Sequence, residues 1–87
     1  MDVFLHEHAE KFLDALDKKI QASIREHLKT LSKDPYSKKL DTKKLKGMSR
    51  KPDLFRLRVG EYRIIYFVQE NEILVTDIIK RESGYSA

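Results

Sequence analysis

The chain has 87 residues, enough for one domain spanning 1–87, because half that length is too short to bury a core of its own. Hydrophobic residues at 40% can fill that core beneath a surface made ionic by 37% charged residues, and the absence of cysteine excludes both a disulfide framework and a thiolate zinc site. The net charge of +4 favours a polyanionic partner, whereas apolar runs no longer than stretches such as Ile64 to Val68 fall far short of the roughly 20 residues of a membrane helix. With no signal peptide pattern either, the expectation is a cytoplasmic protein with no membrane association.

Asp2 to Leu5 carries Val-Phe-Leu and predicts a short strand. From His6 the period changes. Ala9, Phe12, Leu13, Leu16, Ile20, Ile24, Leu28 and Leu31 recur every three or four residues, the stripe of an amphipathic helix. So long a pattern needs a break, expected between Asp14 and Lys18 with the Asp17 carboxylate capping a second helix. Asp34-Pro35 ends this helical hairpin, since proline cannot continue a helix and pushes the preceding residue out of the α region. His6, His8 and His27 could suggest a metal, but no further ligand stands at a suitable spacing, so they are read as surface residues.

A polar loop is expected from there to about Pro52, and charge is concentrated around it. Residues 38–58 hold nine Lys or Arg against Asp41 and Asp53, leaving the remainder of the chain slightly acidic. Such segregation favours phosphate through counterion release, which makes Lys43, Lys44, Lys46, Arg50 and Lys51 candidate RNA-binding residues.

From Leu54 the period is two. Phe55, Leu57 and Val59 alternate with Arg56 and Arg58, then Gly60-Glu61 forms a hairpin turn of type II′ before a strand from Tyr62 to Val68. Glu70-Asn71 turns the chain again into Ile73 to Ile79. The expected fold is α+β in two layers, an N-terminal strand and helical hairpin packed on a mainly antiparallel four-stranded sheet. Alternation then puts Arg56, Arg58 and Arg63 on the face away from the helices, whereas Tyr62, Tyr66, Met48 and Phe55 are read as core. Clustered guanidinium groups repel unless an anion lies between them, and their forks match phosphate oxygens. The competing account is simple pairing with surface carboxylates, Asp77 and Glu61 being nearest along the pattern.

Lys44-Leu45-Lys46-Gly47-Met48, Leu54 to Val59, Gly60 to Tyr66, and Lys80-Arg81-Glu82 with Tyr85 together resemble the successive blocks of the RelE toxins, within the RelE/ParE superfamily. The resemblance spans essentially the whole chain. It implies a RelE-like fold and the toxin of a toxin–antitoxin pair, a metal-independent endoribonuclease without cofactor that cuts mRNA in the decoding site of the ribosome. It also implies a RelB-like antitoxin as partner, alongside ribosomal RNA and mRNA. Arg63 and Arg81 match the family's phosphate-stabilising arginines, and Tyr85 its terminal tyrosine. Arg56 and Arg58 stand where the best-studied members place lysines, which suits phosphate binding better than proton transfer. ParE-like toxins, which inhibit DNA gyrase and are not nucleases, are the alternative, and Arg81 with Tyr85 favours RelE; a binding module without catalysis is the third reading.

Overall fold

The computed structural model describes residues 1–45 and 52–81. Strand β1 (Asp2–Leu5) leads into helix α1 (Glu7–Asp14) and helix α2 (Lys18–Lys33); strands β2 (Asp41–Lys44), β3 (Phe55–Val59), β4 (Tyr62–Gln69) and β5 (Glu72–Lys80) follow. The sheet has five strands in the order β1-β5-β4-β3-β2, antiparallel throughout except for β1, which runs parallel to β5. The two-layer α+β architecture is as expected. The strand count is corrected from four to five, because Asp41 to Lys44, read as polar loop, pairs with β3. An edge strand needs only one neighbour, and its charged side chains discourage pairing with a further chain, so it carries none of the apolar alternation of an inner strand.

The helical break falls where local chemistry places it. Asp17 caps α2, its carboxylate accepting from the Lys19 backbone N–H at 3.0 Å. Gln21 Nε2 donates to the Asp14 and Leu16 carbonyls at 3.1 and 2.7 Å, satisfying acceptors that the end of α1 leaves open. α2 stops at Lys33, one residue before Asp34-Pro35.

The core lies between the helices and one sheet face. Ala9, Leu13, Ile24, Leu28 and Leu31 meet Leu57, Val59, Tyr62, Ile64, Tyr66, Ile73, Val75 and Ile78, all buried. Phe12 departs from the stripe: it is 36% exposed and makes an edge contact with Tyr62, ring centroids 6.3 Å apart. Gly60 takes φ +59, the left-handed value that a type II′ turn requires of its first central residue. Glu70 and Asn71 both have positive φ, 50° and 64°, giving the second hairpin the twist of a type I′ turn. Among the described residues no helix is long and apolar enough to cross a membrane.

Candidate functional site

With the helices on one face, alternation assigns the other face residue by residue. In β3 the buried Leu57 and Val59 point to the core, so Arg56 and Arg58 project from the open side. Register then places Arg63 directly opposite Arg58, and Ile65 opposite Arg56. On β2, Asp41 lies opposite Arg58 and Lys43 opposite Arg56, while Thr42 and Lys44 belong to the helix side. Facing Cβ atoms are about 5 Å apart in such pairs, so Arg58 with Arg63 and Lys43 with Arg56 bring like charges close.

β5 extends the row. Asp77 pairs with Ile65 and Ile79 with Arg63; the Arg81 N–H then donates to the Glu61 carbonyl at 2.6 Å, carrying the ladder one residue further. That register position continues the line of Asp77 and Ile79, where alternation predicts Arg81 to fall. A bulge between Ile65 and Tyr66 keeps Leu74 and Asp77 on one side, with Thr76 Oγ1 donating to the Ile65 carbonyl at 3.4 Å.

Lys43, Arg56, Arg58, Arg63 and Arg81 therefore share this part of the face with Asp41 and Asp77, while Asp2 and Glu72 stand on the same face at its far end, beyond Phe4 and Leu74. Arg56, whose side chain is only 16% exposed, pairs with Asp41 at 3.4 Å on the diagonal. Asp77 is turned elsewhere: its Oδ1 meets His8 Nε2 of α1 at 2.9 Å. Simple charge neutralisation thus accounts for Arg56 through a residue other than those the sequence put forward. Among the described residues Arg58 forms no ion pair and is exposed, and Arg63 is half-buried with Nη1 shielded from solvent. Such a surface has excess positive charge at fixed backbone positions and will attract an anion with several acceptor oxygens.

The remaining candidates divide. Lys44 lies on the opposite side of β2 and pairs with Asp53 at 3.3 Å. Lys46, Met48, Arg50, Lys51 and Tyr85 lie outside the described residues. The histidines are engaged locally: His6 caps α1, its Nδ1 accepting from the His8 N–H at 3.2 Å, and His27 Nδ1 meets the Ser23 carbonyl at 2.6 Å. Among the described residues no group of three or more His, Asp or Glu is arranged for a metal ion. The His8–Asp77 pair was not foreseen, since 69 residues separate its members and nothing in either neighbourhood signals the contact. Both side chains are about half exposed, so the pair secures the rim of α1 by no more than about 1 kcal/mol.

Tyr66 is the titratable group with a distinct environment. Burial pushes its phenol above the usual 10, against a lowering hydrogen bond from Thr42. It belongs to the helix side, stacked on Phe55 with centroids 5.6 Å apart.

Solved structures share this arrangement. The archaeal RelE of the RelE–RelB complex from Pyrococcus horikoshii matches with 31% identity over 92% of this chain and 93% of its own, at a TM-score of 0.78. The Methanococcus jannaschii RelB–RelE complex matches with 26% identity over 95% of each chain, TM-score 0.75. The isolated Escherichia coli RelE, at 22% identity over 91% of this chain and 82% of its own with a TM-score of 0.72, shares the fold. No curated protein sequence matches significantly. The family profile that matches residues 3–85 is that of the ParE toxin of the parDE type II toxin–antitoxin system, so its span takes in both helices, the whole sheet and the arginine face. By that match and by its likeness to the archaeal RelE, the chain belongs to the ParE toxin family, within the RelE/ParE superfamily of type II toxin–antitoxin toxins.

Proposed function

We propose that this toxin acts as RelE-type toxins do, as a metal-independent endoribonuclease that cuts mRNA in the decoding site of a translating ribosome. The observation that carries the reading is the placement of Arg58 directly opposite Arg63, flanked by Arg56 and followed by Arg81, on the sheet face that the helices leave open. Cleavage through the 2′-hydroxyl passes through a phosphorane that gains negative charge, and fixed guanidinium groups stabilise it without reorganisation. They also align the phosphate for in-line attack. Arginine does not exchange protons near neutral pH, so proton transfer falls to another group. The family resemblance gives that role to Tyr85. Arg56, paired with Asp41, serves as a positioning cation, whereas Arg63, half-buried with its Nη1 shielded from solvent, holds its charge in a lower local dielectric.

The name of the matching family profile favours a second reading, inhibition of DNA gyrase without nuclease activity. Pulse labelling after induction in a bacterial host separates the two. Amino acid incorporation is expected to fall first, with thymidine incorporation following later. A primary fall in thymidine incorporation would instead support the gyrase reading.

The partner proposed is a RelB-like antitoxin, because the archaeal relatives at 31% and 26% identity are seen in complexes with RelB. Beside the arginines, Phe4, Leu74 and Phe67 line up across β1, β5 and β4 on the same open face. An amphipathic helix with an acidic side is complementary to a cationic patch bordered by such an apolar row.

A further inference from the structure

On the helix side of β2, away from the arginine face, lies a cavity of about 250 Å³ lined by Pro35, Tyr36, Thr42, Phe55, Tyr66 and Val68. Three of the six residues are aromatic. Phe55 and Tyr66 are already stacked on one another at an interplanar angle of 22°, forming one wall. The Tyr66 phenol is protonated near neutral pH, and its hydroxyl can both donate and accept toward Thr42 or a guest.

Tyr36 is different. It is 89% exposed, yet its backbone is held: the Tyr36 N–H donates to Asp34 Oδ1 at 3.0 Å and the Ser37 N–H to the Asp34 carbonyl at 3.1 Å, on either side of the fixed φ of Pro35. A large ring presented to water on a braced turn contributes little to the core. Exposed lysines stand close by in the chain and on the edge strand: Lys38 and Lys39 follow the turn, Lys44 is on the same side of β2 and pairs with Asp53, and Lys43 is on the other side. Flat aromatic walls suit a planar ring, and an unpaired nucleotide offers a base for such a surface together with a phosphate for the neighbouring lysines. At this volume the space is below that of a drug-sized site and suits a single heterocycle.

We infer that this cavity receives one unpaired base of the bound RNA, stacked between Tyr36 and the Phe55–Tyr66 pair, while the adjoining backbone crosses edge strand β2 over Lys44 and Lys43 toward the arginines. The assignment rests on the proposed reading that RNA is the ligand. It adds a base-stacking subsite separate from the cleavage site.

The chain contains no tryptophan, so Tyr36→Trp introduces a unique fluorophore in the proposed stack. Titrating this full-length variant with octa-adenylate should quench the indole emission, and an abasic phosphodiester of equal length should not. Tyr36→Ala should bind octa-adenylate about tenfold more weakly than the wild type, with an unchanged salt slope and unchanged affinity for the abasic chain. Unaltered emission at saturation, equal octa-adenylate affinity, or an equal loss on the abasic chain would each overturn the subsite. So would a Tyr36→Ala variant that keeps its RNA affinity and loses that for a co-expressed antitoxin, which would give the cavity to the protein partner. The readout is binding to free oligonucleotide, so its outcome is distinguishable from failure of the nuclease reading: Tyr36-dependent binding without ribosome-dependent cutting would refute only the latter.

Discussion

Replacing Arg63 with alanine is expected to slow single-turnover mRNA cleavage at saturating ribosome by about 10²- to 10³-fold, the range for loss of one preorganised donor to a developing oxyanion. Arg81→Ala should behave alike. Ribosome affinity should change far less, because the charge acts mainly on the phosphorane and adds little to an interface carried by many other cations. Lys43→Ala and Lys44→Ala should do the reverse, weakening association with a shallower salt dependence and leaving the saturated rate close to that of the wild type. Cleavage rates measured beside binding isotherms at several salt concentrations check both arms. Lysine variants that cut slowly even at saturation would show that the edge strand and the arginine row do not divide the work in this way.

Leu57→Ala is expected to remove about 2–5 kcal/mol of stability, read as a fall in the urea midpoint. Leu57 is fully buried in β3, with Ile64 beside it on β4 and Thr42 on β2, so truncation leaves a cavity beneath the strand that carries both Arg56 and Arg58. A loss of that size is a large part of the roughly 5–15 kcal/mol available to a domain. Arg58→Ala, one residue along but exposed, should change stability by only about 0.5 kcal/mol. The contrast between neighbours separates loss of fold from loss of chemistry, since only the leucine variant should lose its cooperative transition at mild denaturant.

The elements with a strong period were legible along the chain. The stripe from Ala9 to Leu31 marks α1 and α2, Asp17 marks the start of the second helix, and the alternation from Phe55 onward marks three strands and their turns. The same alternation brings Arg56, Arg58 and Arg63 to one face before any coordinate is known. β2 was not legible because Asp-Thr-Lys-Lys has no apolar alternation; its pairing is decided by β3, whose free edge needs backbone partners. The neutralising role of Asp41 was missed with it, since that contact exists only once β2 is in register. The parallel partnership of β1 with β5 and the meeting of His8 with Asp77 join opposite ends of the chain, a kind of contact that no local pattern encodes. Tyr36 leaves no trace either: a lone aromatic after proline in a polar stretch reads as surface until Phe55 and Tyr66 are placed beside it.

Primer extension on mRNA from a reconstituted translation reaction programmed with stalled ribosomes decides whether the open cationic face cuts mRNA on the ribosome. New 5′ ends are expected within the codon in the decoding site, without added metal beyond that needed by the ribosome, with none when ribosomes are omitted and far fewer at the same reaction time with the Arg63→Ala variant. Intact mRNA with the wild-type toxin on programmed ribosomes, or cutting of naked mRNA at the same rate, would contradict ribosome-dependent cutting.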